Sequence, residues 1–173
     1  AEYRERGCMP DFLTFEFFHG IYSQDKTTFI RKVASHSQEP MTLSENPDYM
    51  EECLCRLNNI LAEEHLQGFP VVLEAWNSTM WQRDLTNDTC FKAAFLFKNI
   101  LENGNQFRMM GYWVMSDLMG ELFGTEETFH GGYGLITQNG IPKSGFNAYV
   151  LLRILGDMEL RRGEGVVVTK KSD

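Results

Sequence analysis

The apolar run Val71-Val72-Leu73 passes without a break into Glu74-Ala75-Trp76-Asn77-Ser78-Thr79, and that order constrains the fold more than any other stretch of the chain. An apolar run that ends in an acid, an aromatic and an amide suits a buried strand delivering polar groups to the rim of a parallel barrel. The residues that close such a strand are the ones expected to carry a site.

The flanking chain supplies alternating elements. Asp11 to Phe18, behind Pro10, reads as a buried strand, and Gly20 to Glu45 as a long polar excursion. Asn46 is placed to cap a helix with Pro47 at its first position, and Met50, Cys53, Leu54, Leu57, Ile60 and Leu61 then recur at helical spacing until Gly68. After the strand Val71 to Trp76, a helix from about Asp88 to Asn103 is expected to bury Cys90, Ala93, Ala94, Phe97, Ile100 and Leu101 and to end at Gly104. Phe107 to Met115 reads as a third strand, Gly120 to Gly140 as a glycine-rich loop and Phe146 to Leu155 as a third helix. Strand-helix order repeated three times predicts an α/β fold, parallel strands with covering helices and right-handed crossovers. Three units cannot close a barrel, since a complete eight-unit barrel takes about 250 residues.

Composition narrows the function classes. With 43% hydrophobic and 13% aromatic residues the 173-residue chain is globular, and no run approaches a membrane span. The N-terminal Ala1 to Arg6 lacks the apolar core of a signal peptide and starts abruptly, as an excised segment does. Sixteen basic against 24 acidic residues leave a net charge of −8, which repels a phosphate backbone, so direct nucleic-acid contact by this segment is not expected. Cys8, Cys53, Cys55 and Cys90 form no disulfide framework, so a reducing cytoplasm is the default compartment. Cys53, Cys55 and His65 lack zinc spacing and are read as buried thiols and a lone histidine, with no metal and no cofactor expected.

Five segments taken in order are more specific than any one of them: Val71 to Thr79, Arg83 to Lys92, Gly111-Tyr112-Trp113, Phe129 to Ile136 and Asn139 to Lys143. Together they resemble glycoside hydrolase family 39, the β-xylosidase and α-iduronidase family, from about Pro10 to Leu155. The resemblance implies a TIM-type (β/α)8 barrel of which residues 1–162 are the last three units, with residues 163–173, including Val166-Val167-Val168-Thr169, beginning a following β-rich module.

The resemblance also implies where catalytic groups belong. Retaining glycosidases work with two carboxyl groups about 5 to 5.5 Å apart. In the family the nucleophile is a glutamate directly before an aromatic and Asn at the end of the seventh strand. Here Trp76 and Asn77 match, and Ala75 stands in the glutamate's place. Glu74 is one place upstream, and strict alternation points it at the helices unless a bulge intervenes. The family's His-x-Tyr at the end of the sixth strand reads Glu16-Phe17-Phe18, so the hydroxyl that orients the nucleophile is absent. Glu16 is a candidate displaced acid or a ligand contact. The acid/base belongs to the fourth strand, upstream of Ala1.

Binding features are better kept. Trp76 and Trp113 offer indole faces for a pyranose, although Trp113 reads equally as a barrel core aromatic. Asn77 either donates to a sugar hydroxyl or caps its loop, and His130 either lines the entrance or is a structural loop residue. Ser116 and Asp117 are placed to hold the loop after the third strand, and Ser144 replaces the proline usual after Lys143. The expected function is therefore a catalytically degenerate family 39-like domain that binds or senses a sugar of the xylose or xylo-oligosaccharide type. Glu126 to Gly132 and Gly163-Glu164-Gly165 resemble the versions attached to bacterial AraC-type transcriptional regulators. A segment of an active retaining β-xylosidase-like hydrolase is the alternative, and a scaffold without ligand a third. Open sheet edges predict self-association.

Overall fold

The computed structural model describes residues 5–22, 41–119 and 125–172. In chain order its elements are β1 (Leu13–Phe18), β2 (Gly20–Tyr22), β3 (Met41–Leu43), α1 (Tyr49–Glu63), β4 (Val71–Asn77), α2 (Cys90–Asn103), β5 (Met109–Tyr112), α3 (Ser144–Ile154), β6 (Met158–Gly163) and β7 (Val166–Lys170). β1, β4 and β5 form a parallel sheet with β4 in the centre. Parallel neighbours need long crossovers, and α1 and α2 supply them. The predicted alternation is therefore present, in an α/β arrangement. The middle of the Gly20 to Glu45 excursion and the first part of the Gly120 to Gly140 loop lie outside the described residues; β2 and β3 pair antiparallel at the ends of the former.

One face of the sheet meets the helices in two rows. Phe15, Leu73 and Met110 are in register across the three strands, and Phe17, Trp76 and Tyr112 form the next row. Met50 and Leu54 of α1, Phe95 and Leu96 of α2, and Ala148 of α3 close on these rows to make the core. Each fully buried Leu or Met here contributes about 1.5 to 3 kcal/mol. The other face leaves Thr14, Glu16 and Glu74 exposed.

Local details depart from the periodicity reading. α1 starts at Tyr49, because Asn46 closes a turn by accepting from the Asp48 N–H at 2.9 Å and donating to Glu52 Oε1 at 2.8 Å instead of capping the helix itself. Gly104 ends α2 in a right-handed conformation and leads into a short 3-10 turn. β5 ends at Tyr112, since the backbone from Val114 to Asp117 turns to pair with Leu135 and Ile136. The expected buried thiols are corrected too: Cys8, Cys55 and Cys90 are exposed and Cys53 is half-buried, all four unpaired. β6 and β7 form an antiparallel hairpin that straddles position 163. Among the described residues, no helix is long and apolar enough to cross a membrane.

The largest correction concerns α2. Its buried residues are Lys92, Phe95, Leu96, Asn99 and Asn103, whereas Cys90 and Ala94 are exposed. The helix is turned away from its most apparent apolar stripe because the polar groups it buries find partners, as with Asn99, which donates to the Phe95 carbonyl at 2.9 Å.

Candidate functional site at the strand ends

The sheet holds its irregularity at the point where the sequence places a site. Phe15 pairs with Leu73 and Glu16 with Ala75, so β4 carries an extra residue, Glu74, between them. The register with β5 shifts over the same stretch, from Met110 opposite Leu73 to Tyr112 opposite Trp76. A bulge of this kind lets two successive residues share one face. Leu73 and Trp76, three apart, thereby both meet the helices, and Glu74 and Ala75 share the face of Glu16. Glu74 is exposed, which corrects the expectation from strict alternation that it points into the helical layer. Gly111 makes room for the bulge, because a side-chain carbon there would collide with the Glu74 carbonyl oxygen.

Trp76 is pulled to the core. It is 0% exposed and packs against the Phe95 ring at 5.7 Å and the Tyr112 ring at 6.2 Å. Its indole face is occupied by protein, so the expected stacking of a pyranose on Trp76 does not hold. Trp113, just beyond β5, is 36% exposed.

Asn77 is fully buried and saturated. Its amide nitrogen donates to the Trp113 carbonyl and to Tyr112 Oη (3.3 Å), and its oxygen accepts from the Ser78 N–H at 2.7 Å and from Lys92 Nζ. An amide has two donors and two acceptor lone pairs, and all are used. Asn77 therefore caps its loop and has no hydrogen bond left for a sugar hydroxyl. Tyr112 passes the network on by donating to the Tyr133 carbonyl at 3.0 Å, and burial raises its phenol pKa above the ordinary value.

A second buried network holds the loops above. Lys143 Nζ lies 2.6 Å from Asp88 Oδ1 and 3.1 Å from Asp117 Oδ2, and donates to the Gly132 carbonyl at 2.9 Å. Asp117 also accepts from the Gly134 N–H at 2.7 Å, and Asp88 from the Gly131 N–H at 2.6 Å. Gly131 needs its φ of +78°, and an added side-chain carbon would sit 2.6 Å from the Arg83 carbonyl carbon. The segment ahead of it carries His130, half-buried, its Nδ1 3.0 Å from the Glu127 carbonyl.

The sequence model of the family described as glycosyl hydrolases family 39 matches residues 24–170. The chain belongs to glycosyl hydrolase family 39. Among curated members, a "Beta-xylosidase" of Geobacillus stearothermophilus is 28% identical over 129 residues, 75% of this chain and 26% of that protein. A "Beta-xylosidase" of Caldicellulosiruptor saccharolyticus is 28% identical over 130 residues, 75% of this chain and 25% of that one. The chain thus spans about a quarter of the length of these relatives. In fold it matches a monomeric β-xylosidase from Caulobacter crescentus CB15 with a TM-score of 0.81 and 23% identity, over 99% of this chain and 34% of that one. The family 39 enzyme from Xanthomonas axonopodis pv. citri matches with a TM-score of 0.74 and 23% identity, over 92% of this chain and 30% of that one.

Within this family 39 chain, the structure brings Glu16, Glu74 and Ala75 to one face and leaves Trp113 open, while Trp76 and Asn77 serve as its buried support. Lys92 is a site residue that pattern reading missed. It sits in the first turn of α2 and is 1% exposed. Burial, chiefly, holds its amine well below the usual lysine range, at about 7; Lys143 adds to the lowering, and Asp84 and Asp88 oppose it. The one signal available was its place in the Arg83 to Lys92 segment.

Proposed function

We propose that this chain is a catalytically degenerate family 39 unit that binds a saccharide of the xylose or xylo-oligosaccharide type. Its setting, on this reading, is a bacterial AraC-type transcriptional regulator in the cytoplasm, whose DNA-binding helices lie on another part of the polypeptide. The observation that carries the proposal is Ala75, paired with Glu16 on the face that the bulge turns away from the helices. A methyl group cannot form a glycosyl ester, and Phe18 offers no hydroxyl to orient one.

Recognition then falls to Trp113 as the stacking platform, with Glu16 and Glu74 as hydrogen-bond acceptors for hydroxyls and His130 at the entrance. The net charge of −8 supports a role for this segment other than nucleic-acid contact. The test is a pair of measurements on the purified chain: ligand-observed NMR with xylose and xylobiose, and hydrolysis of an aryl β-xyloside. Sugar binding without turnover supports the reading. Turnover that Glu74→Gln abolishes replaces it with the hydrolase alternative.

A further inference from the structure

An Asn-Gly pair occurs twice in the chain, at 103–104 and 139–140, and the fold places the two differently. Asn103 is 2% exposed at the end of α2, and the Gly104 N–H donates to the Ile100 carbonyl as the helix closes. Asn139 and Gly140 are both exposed, at the tip of the loop 138–140. Gly140 has a φ of +80°, and nothing lies within 4 Å of where its side-chain carbon would stand. The loop is closed by the Gly140 N–H on the Thr137 carbonyl at 3.0 Å and the Thr137 N–H on the Ile141 carbonyl at 2.9 Å.

The side-chain amides of this loop hold the segment that carries His130. Asn139 Nδ2 donates to Thr128 Oγ1 at 2.8 Å. Gln138 Nε2 donates to the Thr125 carbonyl at 2.7 Å and to the Glu127 carbonyl at 3.2 Å. His130 Nδ1 lies 3.0 Å from that same Glu127 carbonyl. Two successive amides thus fasten the stretch 125–128 to the loop, and the chemistry of Asn139 bears on both of them.

We propose that Asn139 is a modification site: it deamidates through Gly140 while Asn103 stays intact, its contact with Thr128 sets the rate, and the isoaspartyl product frees the His130 segment. The reaction consumes water alone. The Gly140 nitrogen gives its proton to a solvent base and attacks Asn139 Cγ; the bond from Cγ to Nδ2 breaks and ammonia leaves, closing a succinimide. Water then opens the ring at either carbonyl, giving aspartate or isoaspartate. Glycine permits the attack because no side chain shields its nitrogen. Two hydrogen bonds oppose it, one keeping the Gly140 N–H on Thr137 and the other keeping the Asn139 amide turned to Thr128. The second is made by a side chain outside the loop and is the gate. Isoaspartate carries the side-chain methylene in the main chain, so the loop no longer matches its closure between Thr137 and Ile141, and the amides at 138 and 139 lose their hold on 125–128.

The experiment is storage of the purified chain at mildly alkaline pH, with a parallel sample in urea, followed by peptide mapping that separates asparagine, aspartate and isoaspartate at 139 and 103. We expect the folded chain to convert at Asn139 and not at Asn103, and the urea sample to convert at both. Thr128→Val, which keeps the side-chain shape and removes the acceptor, should convert severalfold faster at Asn139, and Thr128→Ser, which keeps the hydroxyl, should match the wild type. Amide hydrogen exchange across 125–130 should rise in the isoaspartyl fraction. Asn139 left intact after the urea sample has converted, or Asn103 converting beside it in the folded chain, would overturn the site; both are read on the wild-type chain, whatever the variants' folding. A Thr128→Val rate equal to the wild type, or a Thr128→Ser rate as fast as Thr128→Val, overturns the gate. Unchanged exchange in the isoaspartyl fraction overturns the release of the segment.

Discussion

Glu16 pairs with Ala75 across the β1–β4 ladder, and the residue that the ladder passes over is Glu74. Two exposed carboxylates therefore lie beside the buried methyl group of Ala75, and on the proposed reading neither stands in the nucleophile's place. The purified chain is expected to leave aryl β-xylosides intact, and Ala75→Glu alone is expected not to start turnover, because the orienting hydroxyl is absent at Phe18 and a second carboxyl must stand about 5 to 5.5 Å from the first. A release assay against a buffer blank checks this, with Glu74→Gln as the control that would expose a substitute nucleophile.

The buried amine of Lys92 ties stability to pH. Its pKa is lowered from the lysine value of 10.5 in the unfolded chain to about 7 in the folded one. A depressed folded pKa means that stability is fully present above the unfolded value and is lost as pH falls toward the folded one. Between those values Lys92 should contribute a slope of up to about 1.4 kcal/mol per pH unit, flattening below the lower. Urea denaturation across this window should show the slope, and Lys92→Met should reduce it.

How far this was legible in the sequence depends on the residue. The strand and helix order came through because the apolar spacings in Met50 to Leu61 and Val71 to Trp76 are strong, and tertiary packing kept them. The faces came through less well. One inserted residue at Glu74 puts Leu73 and Trp76, three apart, on the same face, and alternation cannot announce its own interruption. Lys92, Asn99 and Asn103 read as a solvated stripe, because a hydrophobicity pattern values a side chain by its polarity and not by the partner that folding brings to it. Asn77 was placed correctly along the chain, but its saturation depends on Trp113 and Lys92, far apart in sequence and joined by the fold alone.

The bulge should depend on Gly111. A side-chain carbon there meets the Glu74 backbone oxygen, which cannot rotate away as a flexible side chain would. Gly111→Ala is expected to cost roughly 2 to 4 kcal/mol, against well under 1 kcal/mol for Gly163→Ala, where nothing lies within 4 Å. Thermal melts of the two variants compare them directly.

Association should follow from the sheet. β1 and β5 each have one neighbour among the described residues, and an apolar groove of about 340 Å³ lies beside β1, lined by Leu13, Phe15, Phe17, Met50, Cys53 and Leu57 among others. Unpaired edges beside apolar surface favour pairing with another chain. The isolated chain is expected to sediment as a dimer or larger species at micromolar concentration, and a compact monomer would contradict this.

The two site tryptophans should separate cleanly on substitution. Stacking a pyranose on one indole contributes on the order of 1 kcal/mol, which places a monosaccharide near millimolar affinity. Trp113→Ala should therefore weaken xylobiose binding severalfold and cost less stability than Trp76→Ala, since Trp113 is 36% exposed and Trp76 0%. Trp76→Ala removes a fully buried ring from between Phe95 and Tyr112 and should destabilise the chain by about 3 to 5 kcal/mol. Calorimetric titration beside thermal denaturation distinguishes the two. Loss of sugar affinity in a stably folded Trp76→Ala variant, with Trp113→Ala unaffected, would place the sugar beneath the strand ends and not on the open indole.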